Sequence, residues 1–200
     1  SLTCKQGRKK DDKKRIVITA SDNELMLLVR NGDVGRLGVL YERHCTKLLN
    51  FFARHTNRPD VSEDLVQDVF LLIIKYRHTF RSEAPFAAWM YQLARNVSAD
   101  YFRKWKEQPL DEGYGERQPE TDPGPSESLQ LREEHEMLKQ ALGQLSPEKR
   151  EVLILSRFQE LKYEDIGKIL DCPVGTVKAR VHFALKDLRK EYMKLTKTSL

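Results

Sequence analysis

No apolar run in this 200-residue chain exceeds six residues, as at 69–74, and it holds only two tryptophans and three cysteines. A membrane-spanning helix needs roughly 18 consecutive apolar residues, so direct membrane insertion is not expected. Residues 1–15 are polar and basic, without the apolar core of a secretory leader, and the expected location is the cytoplasm. Cys4, Cys45 and Cys172 are odd in number, widely spaced and without a C-x-x-C pair. Neither a disulfide framework nor a zinc knuckle follows from them. His44 and Cys45 are adjacent, but helical neighbours point about 100° apart and do not readily share an ion, so no metal or other cofactor is expected. No stretch alternates with the two-residue period of a strand, and no repeat of solenoid length occurs.

What is present is helical periodicity and unevenly spread charge. The net charge is +5 with a pI near 9.0, a balance compatible with a nucleic-acid partner. Residues 172–200 hold seven Lys/Arg against two Asp/Glu, whereas residues 107–128 hold one Arg against seven acids, with four prolines and three glycines. The second segment buries too little apolar surface to offset its ordering entropy and reads as a flexible acidic linker. The expected fold is all-α, two small helical domains joined by that linker. Residues 1–20 form a basic tail, 21–106 one domain, 107–128 the linker, 129–195 the second domain and 196–200 a tail.

In the first domain, Ser21 or Asp22 can cap a helix that ends at Gly32, and Asp33 can cap the next. Asp60-x-x-Glu63 reads as a capping box for a helix reaching Tyr76. Pro85 suits a first helical turn before the stripe Phe86, Trp89, Met90, Leu93, Val97 and Tyr101. Asp64, Gln67, Asp68 and Leu71 share one edge of the third helix, which composition alone reads as a solvated face. The last helix interleaves Arg103 and Lys104 with Tyr101, Phe102 and Trp105, the cations and flat rings that unstacked nucleic-acid bases require; core packing equally explains Trp89 and Tyr101.

The second domain carries a helix over 129–145, a helix opened by Ser146-Pro147, a short helix from Tyr163 to Leu170, a turn at Asp171-Cys172-Pro173 and a long helix from Val174. The last two have a helix-turn-helix layout. Gly167 costs about 1 kcal/mol relative to alanine inside a helix, a cost that close approach of the second helix would explain. The long helix has an apolar stripe of Val174, Val177, Val181, Leu185, Leu188, Tyr192 and Leu195. Opposite lie Thr176, Ala179, His182, Phe183 and Lys186, flanked by Lys178 and Arg180. An aromatic among cations fits a helix entering the DNA major groove, with its positive N-terminal end near a phosphate.

Three blocks in this order, SEDLVQDVF, APFAAWMYQLARNVSADYFRKWK and LSPEKREVLILSRFQELKYEDIGKILDCPVGTVKARVHFALKDLRKE, resemble the sigma-70 family of bacterial RNA polymerase initiation factors. The resemblance is to the extracytoplasmic-function (ECF) group, which keeps only the second and fourth sigma domains, the latter a winged-helix-like helix-turn-helix. It implies that Asp64, Leu65, Gln67, Asp68 and Phe70 dock on the β′ clamp of core RNA polymerase and that the fourth domain meets the β flap. It implies further that Phe80, Arg81, Asn96, Asp100, Arg103 and Lys104 open and hold the −10 element, extruding a base at a cost of a few kcal/mol. Thr176, Lys178, Ala179, Arg180, His182, Phe183 and Lys186 would read duplex DNA at −35, with Ala179 standing where relatives often carry serine. The implied partners are core polymerase, promoter DNA and an anti-sigma factor, with no small-molecule substrate and no catalytic residue. Two other readings of the residues are a self-sufficient helix-turn-helix repressor and a nuclease holding a metal at Asp64 and Asp68.

Overall fold

The computed structural model describes residues 20–107 and 129–198, so the basic tail and most of the acidic linker lie outside the described residues. Among these residues the regular structure is entirely helical: α1 (Asp22–Arg30), α2 (Leu37–Thr56), α3 (Ser62–Tyr76), α4 (Phe86–Glu107), α5 (Leu129–Gly143), α6 (Pro147–Leu153), α7 (Tyr163–Leu170) and α8 (Val174–Thr198). Single 3-10 turns at Val34–Arg36, Pro59–Val61 and Arg77–Thr79 lead into or out of the first four. A π-helical turn, Ile154–Phe158, continues α6.

Local chemistry accounts for most boundaries. At α1, the Ser21 hydroxyl accepts from the Glu24 amide while the Glu24 carboxylate accepts from the Ser21 amide, a reciprocal cap. Gly32 then turns the chain at φ +106°, a conformation glycine adopts without strain. Two predicted caps take other partners. Asp33 pairs with Arg36 at 3.0 Å, and Asp60 accepts a forked pair from Arg58 at 2.6 and 2.9 Å, so α3 begins one residue later than the capping-box reading placed it. Pro147 holds the first turn of α6, while the Ser146 side chain makes no capping bond.

The first four helices enclose Leu25, Met26, Leu40, Phe51, Phe52, Val69, Ile73 and Met90, and the last four enclose Val152, Leu153, Ile154, Ile166, Val177 and Ala184. The two sets join into one connected apolar cluster. On α8 the stripe departs from the predicted one. Ala184 is fully buried while Leu185 is exposed, because Val177, Val181, Ala184 and Leu188 keep the i, i+4, i+7, i+11 positions of a helix face. The helix also runs to Thr198, beyond the predicted end at 195.

Polar groups also join the halves. Arg150 donates to the carbonyl of His55 at the end of α2 (3.0 Å) and to Leu142, Gly143 and Leu145 at the end of α5. The Tyr91 hydroxyl donates to Gln159 at 2.7 Å, and Gln159 donates to the Lys47 carbonyl at 3.2 Å. The π-helical turn carries Phe158 under the Arg54 guanidinium, 4.5 Å from the ring centroid.

Candidate protein and nucleic-acid interfaces

The α3 edge divides cleanly by exposure. Asp64, Gln67 and Asp68 are open to solvent and Leu71 is 63% exposed. Leu65 and Phe70, grouped with them from the sequence, are 6% and 7% exposed and point into the core, Phe70 edge-on to Tyr41 at 4.9 Å. They hold the helix in place; the outward apolar residue on this edge is Leu71. An exposed leucine one turn beyond two carboxylates is a surface suited to a protein partner with an apolar seat and a basic rim. Among the described residues no group of three or more His, Cys, Asp or Glu is arranged to hold a metal ion.

The loop between α3 and α4 is anchored from α1. The Asn23 amide donates to the carbonyls of Ser82 (3.1 Å) and Ala84 (3.0 Å), and its oxygen accepts from the Phe86 amide (2.7 Å). Arg30 donates to the Phe80 carbonyl at 3.0 Å. The Phe80 side chain, counted from the sequence among residues facing DNA, is fully buried, its ring 5.4 Å from Trp89 and 6.2 Å from Phe86. It pins the loop so that Arg81, Ser82 and Glu83 remain exposed. Asn23 and Arg30 carry no signal of these contacts in the sequence, because polar residues on a short amphipathic helix do not point to partners 50 to 63 positions away. Trp89 is half-buried against the core.

On α4, Asn96, Asp100, Arg103 and Lys104 are exposed, with Arg103 paired to Asp100 at 2.9 Å. Val97 is buried, and Tyr101 packs against the core with Trp105 tilted beside it, centroids 6.2 Å apart. The Arg58 guanidinium lies 4.9 Å from the Trp105 ring centroid, and that ring is 48% exposed.

Two histidines support this half from within. His44 lies against Asp22 at 2.7 Å, with Nδ1 buried and unpartnered. Burial holds its pKa below the ordinary value despite the carboxylate, and the unpartnered Nδ1 fits a neutral ring that donates from Nε2. Burial likewise opposes the ionised form of Asp22, but hydrogen bonds from Arg43 and His44 outweigh it and its pKa is lowered. His55 Nδ1 sits 3.2 Å from the Ser98 hydroxyl, and burial, with the nearby charges of Arg150 and Arg95, lowers its pKa to about 4.

In the helix-turn-helix, α7 ends at Asp171 in the left-handed conformation (φ 49°), and the Cys172 amide donates to the Gly167 carbonyl at 3.0 Å. A Cβ on Gly167 would stand 2.9 Å from the Cys172 carbonyl oxygen, with Val174 next nearest at 3.9 Å. The close approach behind this glycine is thus made chiefly by the turn backbone rather than by the second helix. Along α8, Lys178, Ala179, Arg180, His182, Phe183 and Lys186 are exposed and Thr176 is half-exposed, while Val177 and Val181 on the other side are buried. Phe183 is 57% exposed and rests edge-on against His182 at 5.5 Å. This is a rigid, cationic, aromatic-bearing helix face with its N-terminus free of an acidic neighbour in the first turn.

The comparisons with known proteins identify the family. The family model described as Sigma-70 region 2 matches residues 40–107, and that described as Sigma-70, region 4 matches residues 135–188. The RNA polymerase sigma factor YlaC of Bacillus subtilis (strain 168) is 30% identical over 158 residues, 78% of this chain and 91% of that protein. The ECF RNA polymerase sigma-E factor of Haemophilus influenzae is 28% identical over 170 residues, 80% of this chain and 89% of that protein. A solved structure of the sigma factor RpoE from Bartonella quintana, in complex with the anti-sigma factor NepR, superposes with a TM-score of 0.59 at 25% identity, covering 91% of this chain and 96% of that one. With regions 2 and 4 both matched, in order and on the helices that carry the exposed edges, the chain belongs to the sigma-70 family of RNA polymerase initiation factors, in its extracytoplasmic-function group.

Proposed function

We propose that this sigma factor binds core RNA polymerase through the Asp64, Gln67, Asp68 and Leu71 edge of α3, seated on the β′ clamp. Residues 21–106 act as the polymerase-binding and −10 domain, and residues 129–195 as the −35 domain that also meets the β flap. The loop with Arg81 and the α4 positions Asn96, Asp100, Arg103 and Lys104 take the opened −10 strand. The exposed α8 face reads duplex DNA at −35, with Lys178, Arg180 and Lys186 on phosphates or guanine edges, and Phe183 and Ala179 beside thymine methyls.

The observation that carries this reading is the two-sidedness of α8. Phe183 is 57% exposed among cations while Val177, two turns nearer its start, is fully buried. Exposing a phenylalanine forgoes roughly 1.5–3 kcal/mol of burial, a cost a partner offsets and a merely solubilising face does not explain. Strand opening draws on stronger binding to the open form than to the duplex, so the chain itself performs no hydrolysis. It acts in the cytoplasm, where an anti-sigma factor controls its access to polymerase. No described helix is long and apolar enough to cross a membrane.

The test is fluorescence anisotropy of the labelled chain titrated with core polymerase. Saturable binding that Asp64→Ala/Asp68→Ala weakens supports the reading; absence of binding by a folded sample overturns it. Transcription from a promoter library then identifies −35 preference, which Lys178→Ala and His182→Ala should alter. Uniform loss on every promoter would remove the base-reading assignment.

A further inference from the structure

Around α4, Arg95, Asn96, Ala99 and Arg103 lie within about 60° of Gln92, on one stripe of the helix. The helix-turn-helix half sits on part of that stripe. Gln92 donates to the Lys168 carbonyl at 2.8 Å and Arg95 Nη1 donates to the Ile169 carbonyl at 2.7 Å, both at the negative C-terminal end of α7. Arg95 Nε donates to the Glu151 carboxylate of α6 at 2.8 Å. Asn96 and Arg103, on the same stripe, stay exposed.

The partners of Arg95 are thus an anionic carboxylate and a partly negative helix-end carbonyl, oxygen acceptors that a phosphate group can replace. A guanidinium offers such acceptors a planar fork of donors. The pair is also poorly placed as a pure strut. The Glu151 side chain is 11% exposed and that of Arg95 36%, and desolvating a carboxylate removes much of what the attraction contributes.

We propose that Gln92 and Arg95 are backbone ligands for the opened DNA strand, and that Glu151 and the end of α7 occupy them in the closed chain. Closed chain and bound strand then compete for the same two side chains. The inference rests on the reading of α4 as the −10 surface. It adds a phosphate contact to that surface and makes separation of the halves a condition of using it.

The experiment uses the full chain, with fluorophores on the two halves to report their separation and a short mixed-sequence single strand of DNA as probe. Glu151→Gln should separate the halves and tighten strand binding about tenfold, the low end of what one charge-assisted hydrogen bond contributes. Arg95→Ala breaks the same bridge and should also separate the halves, yet weaken strand binding and lower the slope of log affinity against log salt by about 0.7. Gln159→Ala lies off the stripe and loses the bonds to Tyr91 and Lys47; it should tighten binding as Glu151→Gln does, which keeps the test valid if either charge variant folds poorly. The opposite signs at Glu151 and Arg95 are decisive, since a merely structural bridge moves both variants the same way. Equal shifts in one direction, or no separation in any variant, would overturn the inference. Loss of binding in Arg103→Ala with none in Arg95→Ala refutes the inference alone; no effect of either refutes the reading of α4 as well.

Discussion

Replacing Arg150 by alanine tests whether one side chain ties the two halves at their helix ends. Its guanidinium donates to four carbonyls: His55 at 3.0 Å, Leu142 and Leu145 at 3.1 Å each, and Gly143 at 2.5 Å. These are the C-terminal carbonyls of α2 and α5 or lie just beyond them, groups left without partners inside their own helices and at the negative ends of two helix dipoles. A hydrogen bond to a charged group contributes about 1.5–3 kcal/mol. The four are not additive, since water would reach some of the freed carbonyls and Arg150 forfeits hydration when folded; burial lowers its pKa for that reason. A net loss of about 3 kcal/mol follows, which for a chain of this length lowers the melting temperature by about 9 °C. Arg150→Lys keeps the charge near both helix ends but not the fork, and should lose about half as much. Scanning calorimetry with circular dichroism measures both. A shift for Arg150→Ala no larger than that for an exposed control such as Lys190→Ala would refute the reasoning.

Three further outcomes follow from the same geometry. His55 titrates near 4 when folded against an ordinary 6.5, so the unfolded chain binds more protons between those values; stability is full above about pH 6.5 and falls by up to about 3 kcal/mol as pH drops to 4. Burial raises the pKa of Glu151 and contributes the opposite slope, so urea denaturation of His55→Gln against the parent isolates the histidine part, and parallel pH profiles would sink the assignment. Gly167→Ala gains helix propensity but drives a methyl to 2.9 Å from the Cys172 carbonyl oxygen; we expect a net loss of about 1–2 kcal/mol with weaker −35 duplex binding, and an unchanged or raised melting temperature would contradict the packing argument. Asn23→Ala removes three bonds to the α3–α4 loop and should reduce promoter opening, read by permanganate reactivity of −10 thymines, while leaving −35 duplex binding intact; undiminished opening would show that the loop needs no anchor.

Much of this molecule was legible from local signals. A cap at Ser21 or Asp22, the turn at Gly32, the α7 span and the helix-turn-helix face on α8 follow from interactions within about one or two helical turns, where residue spacing and side-chain chemistry act directly. The α3 edge was legible from spacing, which put Leu71 beside Asp64, Gln67 and Asp68, and Leu71 stands outside. The resemblance added Leu65 and Phe70 to that surface, and both turn inward, because α2 and α4 pack over their side of the helix. Phe80 sits in a polar loop and is nonetheless fully buried, because Trp89 and Phe86 of the next helix close over it.

By itself, then, the sequence determined the helices, the turns at Gly32 and at Asp171, and the family, since each rests on short-range chemistry or on ordered motifs. Only the tertiary structure decided that Asn23 holds the loop before α4, that Arg150 joins the ends of α2 and α5, and that Arg95 faces Glu151 across the two halves. Those contacts join residues about 55 to 95 positions apart. No periodicity encodes such pairs; they arise when packed helices bring a long polar side chain within reach of backbone or charge that would otherwise be left without a partner.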